Sequence, residues 1–237
     1  MHIAFIPARA GSQGLKHKNR LFFDFTADFL NNLEWIDEVI VSTDDPIIVE
    51  YAMERHYTVH DRNSELSGPA VPIKKVVENV IMEKKLDVNT ILWLFYLPTI
   101  YKHYNDFIEA KHIIEQKNVA SLCSFIPART HPYSTWKYDS CKNHLEQYIP
   151  NDIFRRQDLP QAWMHHHYLC CFKVFEIPSL NSELINKKTI PVFLKKKTVD
   201  QLIEVDTPED FEKWKKVSPE DFEKLKKNHH SKRIIND

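Results

Sequence analysis

Glycine is scarce. The chain has 237 residues and only three glycines, and two of these are Gly11 and Gly14. So few glycines leave few places where the backbone can turn left-handed or come close to a ligand. Neither G-x-G-x-x-G nor G-x-x-x-x-G-K-[ST] occurs, which excludes a dinucleotide fingerprint and a P-loop. The four cysteines, Cys123, Cys141, Cys170 and Cys171, form no C-x-x-C pair, which argues against a cysteine zinc site and favours buried, reduced thiols. Charge of one sign is lacking too. The net charge is −1, so nothing global points to nucleic acid or an anionic membrane, and any basic site must be local. No apolar run approaches the length needed to span a bilayer, and Met1-His2 leads into a strand rather than a basic, then apolar, leader. We therefore expect a cytoplasmic protein. Hydrophobic residues at 43% and charged residues at 27% suit a soluble globular chain with one sizeable core.

What is there begins at the first strand. Ile3–Ile6 is apolar, and Pro7 ends it because its nitrogen cannot donate into a sheet. The loop that follows places Gly11, Ser12 and Gly14 among Arg9, Lys16 and Lys18. Glycines beside cations after a first strand suggest a phosphate cradle; a basic surface turn is the alternative. A helix is expected around residues 27–33, with Phe29, Leu30 and Leu33 at helical spacing. Val39–Thr43 reads as a second strand. Asp45 then caps a helix that has Pro46 at its first position. Residues 90–96 and 120–126 read as further strands, separated by a helix from Tyr104. The alternation predicts an α/β domain with a mostly parallel sheet, helices on both faces, and its site at the carboxyl ends of the strands.

Three segments carry a resemblance. Ile6-Pro7-Ala8-Arg9-Ala10-Gly11-Ser12-Gln13-Gly14 with Lys18-Asn19 resembles the I-P-A-R-x-G-S-K-G…K-N loop of the cytidylyltransferases that make CMP-sialic acid and related CMP-sugars. Arg155-Arg156-Gln157-Asp158-Leu159-Pro160 is similar to that family's R-R-Q-D-L-P. Glu204-Val205-Asp206 stands where the family usually has Asp-x-Asp. The resemblance implies a three-layer, Rossmann-like nucleotidyltransferase fold over residues 1–217, with a dimerisation arm over about 130–162; residues 218–237 form a C-terminal helix and tail. It implies a reaction of CTP with a nonulosonic acid to give the CMP-sugar and pyrophosphate. Arg9 and Lys18 would be catalytic. Ala8, Arg9, Gly11, Ser12, Gln13, Gly14, Lys18, Asn19 and Arg62 would hold the nucleotide, although Arg62 also reads as a solvated loop arginine. Arg156, Gln157 and His166 would hold the sugar, with Arg156 reaching a partner subunit across a homodimer. Glu204 and Asp206, alternating along a strand end so that both carboxylates share a face, would bind Mg²⁺.

The departures matter as much as the matches. Gln13 replaces a lysine, Leu97 a glutamine and Ser134 a lysine, while His166-His167 replaces Asn-Gly. They keep open a homologue without turnover, or a transferase of the same fold for another sugar or nucleotide. Within His165-His166-His167, strand alternation puts His165 and His167 on one face and His166 on the other. No carboxylate stands at useful local spacing for a metal there. Thr207–Lys216 is nearly repeated as Ser218–Lys227. Thr207 and Asp210 predict a capping box, and the second copy predicts another short helix without a metal site. Residues 228–237 read as a polar tail.

Overall fold

The computed structural model describes residues 1–11 and 14–227. The expected polar tail, and the site residues Ser12 and Gln13, lie outside these described residues. A seven-stranded sheet organises the chain, in the order β3-β2-β1-β4-β8-β5-β9. Its strands are β1 (His2–Pro7), β2 (Glu38–Thr43), β3 (Thr58–Asp61), β4 (Ile91–Leu94), β5 (Ser121–Pro127), β8 (Trp163–Lys173) and β9 (Ile190–Phe193). β8 runs antiparallel to both its neighbours, β4 and β5; every other pairing is parallel. The α/β, mostly parallel expectation therefore holds. β6 (Trp136–Asp139) and β7 (His144–Gln147) form a separate hairpin within the expected arm.

Strand alternation divides the core into two layers. Ala4, Ile6, Ile91 and Trp93 point to one face of the sheet; Ile3, Phe5, Leu92 and Leu94 point to the other. The first face is covered by α1 (Lys18–Leu30), α2 (Pro46–Glu54), α4 (Tyr104–Ile114), α6 (Pro208–Val217) and α7 (Pro219–Lys227), the second mainly by α3 (Ile73–Lys84) and a 3₁₀ segment, Val174–Ser179. A short α5 (Lys196–Asp200) leads back toward the site.

The predicted caps are present. The Asp45 carboxylate accepts from the Ile47 N–H at 3.0 Å, and Thr207 and Asp210 form a reciprocal capping box. The repeat is two short helices. Phe211 and its copy Phe222 meet edge-on at 6.0 Å, and Trp214 and its counterpart Leu225 are both buried. The same apolar positions thus dock both copies.

Several expectations need correction. α1 starts at Lys18, well before residue 27, because Leu21, Phe22 and Phe23 already bury there; Leu33 lies beyond its end. The acidic segment is not a strand: only Glu204 makes an isolated bridge, to Thr99. Of the four free cysteines, Cys141 is exposed. Arg62 is not a solvated arginine; it is 5% exposed and donates from Nε to the Leu66 carbonyl at 2.8 Å.

Candidate functional site

A cleft of about 950 Å³ opens at the carboxyl ends of β1 and β4. The loop after β1 lines it, and hydrogen bonds fix its first residues. The Ala8 N–H donates to the Ser42 carbonyl at 2.9 Å, and the Ala8 carbonyl accepts from the Thr43 hydroxyl at 2.6 Å. Asn19 donates from its amide to the Arg9 carbonyl at 2.9 Å, and the Ala10 N–H donates to the Asp44 carboxylate at 2.6 Å. Ala8 and Asn19 thus shape the loop, and Asn19 also lines the cleft.

The two loop glycines have different reasons. Gly11 sits at φ +68° with nothing near a would-be Cβ, so its value is the left-handed backbone. Gly14 has no room: a Cβ would lie 2.0 Å from the Asp206 carbonyl oxygen. Next to it, the Leu15 N–H donates to that same oxygen at 2.7 Å. The basic loop and the acidic segment, almost the whole chain apart in sequence, therefore touch backbone to backbone.

Charges of both signs line the cleft. Arg9, Lys18, Arg62, Glu204 and Asp206 all line it. Burial lowers the Arg62 pKa; Asp44 opposes that, and the nearby Arg9 adds to it. Guanidiniums and an ammonium lining one cleft have the donor chemistry that suits a multiply charged anion. Lys18 bonds Asp206 directly. His166 Nδ1 accepts from the Tyr168 N–H at 3.0 Å, so Nε2 carries the proton and faces the Glu204 carboxylate at 3.6 Å. The nearby His166 imidazole holds the Glu204 carboxyl below its ordinary pKa against the opposing effect of burial, with further help from the charge of Lys18. The two carboxylates reach one cleft without the strand alternation expected for them.

Arg156 and Gln157 are not brought to this cleft in the single chain; both are exposed on a 3₁₀ turn, Arg156–Asp158. Leu97 is fully buried, so no polar group faces the cleft from that position. The sequence reading missed Asp44 as a loop anchor, although Asp44-Asp45 was visible. It also missed Tyr96 and Glu183 in the lining; Glu183 carries no sequence signal, because only the fold brings it there.

Residues 3–92 match the family model described as cytidylyltransferase. This is less than half of the chain; it includes Arg9, Lys18 and Arg62 but not the acidic pair. Among curated proteins, no sequence matches. Among solved structures, a CMP:2-keto-3-deoxy-manno-octonic acid synthetase complexed with CTP is similar over 93% of this chain and 99% of its own, with a TM-score of 0.62 and 16% identity. A 2-C-methyl-D-erythritol 4-phosphate cytidylyltransferase from Francisella tularensis is similar over 89% of this chain and 96% of its own, with a TM-score of 0.58 and 13% identity. A 4-diphosphocytidyl-2C-methyl-D-erythritol synthase from Anaerococcus prevotii is similar over 88% of this chain and 94% of its own, with a TM-score of 0.54 and 14% identity. At such identities the likeness is one of fold. No helix among the described residues is long and apolar enough to cross a membrane.

Proposed function

We propose that this chain transfers the cytidylyl group of CTP to an acidic sugar, with a nonulosonic acid of the sialic, legionaminic or pseudaminic type as acceptor. The observation that carries this reading is the contact of Gly14 with Asp206, which holds a basic loop and an acidic pair against one cleft. A nucleotidyl transfer needs both: cations for a triphosphate and carboxylates for its metal. The anomeric hydroxyl of the sugar attacks the α-phosphorus, and pyrophosphate leaves. Arg9 and Lys18 neutralise charge that grows on the phosphate oxygens, and Arg62 holds the nucleotide.

Glu204 and Asp206 suit Mg²⁺ by the chemistry of their donors. Both side chains are about half exposed, and hard cations of this size take one or two carboxylates and fill the remaining positions with phosphate oxygens and water. When bound, Mg²⁺ would screen the phosphate charge. With the metal held there, Lys18, which pairs with Asp206 in the free chain, would be free to turn toward the nucleotide. His166 lines the same cleft, and in this reading its Nε2 would donate to the acceptor sugar. Arg156 and Gln157 belong to an exposed apolar arm, and a second copy of the chain would carry Arg156 to its neighbour's cleft to meet the sugar carboxylate.

A second reading, a transferase of this fold with another acceptor, is favoured by the burial of Leu97 and by the imidazole of His166 in the cleft. Pyrophosphate release from CTP tests both. The panel would hold sialic, legionaminic, pseudaminic and 2-keto-3-deoxy-octonic acids together with 2-C-methyl-D-erythritol 4-phosphate. Turnover with the nonulosonic acids supports the first reading, and turnover with either of the others supports the second. CTP binding without turnover on any acceptor would overturn both in favour of a homologue without activity.

A further inference from the structure

β8 is not a regular strand. Cys123 and Ser124 are adjacent on β5, yet their partners on β8, Cys170 and His166, are four residues apart. His167, Tyr168 and Leu169 therefore bulge out of the ladder, and bulges re-aim side chains. Ser124 closes the gap: its hydroxyl donates to the His166 carbonyl and accepts from the Leu169 N–H at 3.0 Å. Tyr168 turns into the core, where its hydroxyl donates to Asp106 at 2.8 Å. His165 and His167 turn the other way and stack edge-on, with ring centres 5.3 Å apart.

Both rings meet Glu183, from a later loop. Its carboxylate Oε2 lies 3.5 Å from His165 Nε2 and 4.0 Å from His167 Nε2. The loop that presents Glu183 is tightly fixed. The Asn181 side chain accepts from the Glu183 and Ile185 N–H groups at 2.9 and 3.1 Å, and Leu184 is fully buried at φ +60°. A left-handed leucine is uncommon and costs backbone energy, so the loop holds Glu183 in place against strain.

We propose that His165, His167 and Glu183 form a binding site for a late first-row divalent cation of the Zn²⁺ or Co²⁺ type, distinct from the Glu204–Asp206 carboxylate pair. One ligand atom from each of the three lies within 4.8 Å of the others. Ligands around a tetrahedral Zn²⁺ stand about 3.3 Å apart, given bonds of roughly 2.0–2.1 Å. Closing the observed gaps needs shifts under about 1 Å, which the half-exposed His165 and exposed Glu183 side chains can make. Two imidazoles and one carboxylate favour borderline cations over Mg²⁺. All three residues line the cleft, so the remaining coordination positions face it and are open to water or a ligand oxygen. His167 now donates from Nε2 to the Glu183 carbonyl at 3.0 Å; metal binding there moves its proton to Nδ1. A second cluster, Cys123, His167 and Cys170, is the weaker candidate. Both sulfurs pack in the apolar core as a cross-strand pair, and the Cys123 contact together with burial holds the Cys170 thiol well above its ordinary pKa.

The test is titration of chelator-stripped, full-length protein with Zn²⁺ and with Co²⁺, without nucleotide or sugar, followed by calorimetry and the visible Co²⁺ spectrum. One equivalent should bind, and tenfold excess Mg²⁺ should not displace it. Glu183→Gln and His165→Gln, both at sites with exposure to solvent, should each weaken binding at least about tenfold. Far-ultraviolet circular dichroism checks that the variants are folded. Glu204→Gln with Asp206→Asn should leave this binding unchanged, which separates the site from the proposed nucleotidyl transfer. No saturable binding would overturn the proposal, as would binding that persists in both single variants, since that would place the ion at other histidines.

Discussion

Gly14→Ala is the sharpest perturbation of the contact that assembles the cleft. The new Cβ would stand 2.0 Å from the Asp206 carbonyl oxygen and 3.1 Å from its carbon. Both are backbone atoms, so no rotamer relieves the clash. The loop must lift away by more than 1 Å, roughly the shortfall from ordinary van der Waals contact. Lifting breaks the 2.7 Å bond from the Leu15 N–H to Asp206 and pulls Lys18 from its carboxylate. Overpacking costs about 1–3 kcal/mol and the lost hydrogen bond about 0.5–1.5, so we expect about 2–4 kcal/mol of destabilisation. Gly11→Ala is the control. Its backbone is left-handed but its surroundings are open, so it should cost about 1 kcal/mol. Urea melts would read stability, and calorimetry with CTP would read the site. Gly14→Ala should lose CTP affinity well beyond Gly11→Ala. Equal stability and equal CTP affinity in the two variants would refute the claim that this contact builds the site.

Asp206→Asn should nearly abolish turnover yet cost at most about 1 kcal/mol of stability, because its pair with Lys18 is partly exposed. Asp221→Asn, the copy of Asp210 in the repeat, should keep turnover and cost about 1 kcal/mol, because it weakens the acceptor for the Tyr101 hydroxyl; activity losses equal to those of Asp206→Asn would remove the metal assignment. Burial pushes the Lys102 pKa down from 10.5 to about 7. The unfolded chain then holds this proton between those values, so stability should rise as pH goes from about 7 to 10.5, by no more than about 5 kcal/mol. The oxygens of Thr26, Tyr96 and Thr99 that accept from the ammonium favour its charged form and reduce that swing. Denaturant melts across this range should show a slope that Lys102→Met flattens; a slope unchanged in the variant would assign it elsewhere. The arm should close a two-fold dimer, since Trp136, Tyr138, Leu145 and Phe154 are all more than half exposed, Phe154 at 91%. Sedimentation should give a dimer that Phe154→Asp weakens; full activity in a strictly monomeric protein would refute it.

Local chemistry made part of this legible in the sequence. Asp45-Pro46 and Thr207-Pro208 are caps that need no tertiary contact, and both stand where the residues put them. The strands Val39–Thr43 and Ala120–Ile126 were readable because strands buried on both faces are rich in apolar and β-branched residues. α1 was harder. Its buried stripe is Leu21, Phe22, Phe23, Ala27 and Leu30, but its N-cap is His17 in a left-handed conformation with no side-chain cap, so no start signal existed. The acidic pair was placed by resemblance on a strand that is not there. Its carboxylates reach the cleft because the Gly14 loop and Thr99 grip the backbone around them.

β8 explains why the histidine triplet could be read only in part. Period-two alternation separates His166 from its neighbours, and the structure does so: His166 faces Glu204, while His165 and His167 face Glu183. What alternation could not supply is the partner of the outer pair. Glu183 reaches them only because three residues bulge from β8 and a tight turn at Asn181 folds the chain back over them. Register shifts and loop closures are set by cross-strand contacts, here chiefly by the Ser124 hydroxyl, a residue more than forty positions away in sequence. Ser124→Ala would leave the His166 carbonyl and the Leu169 N–H without that bridge, and from β8 the His166 ring faces Glu204 at 3.6 Å. The same bulge therefore couples the two titratable clusters on opposite sides of one strand, so any change in its register should disturb both together.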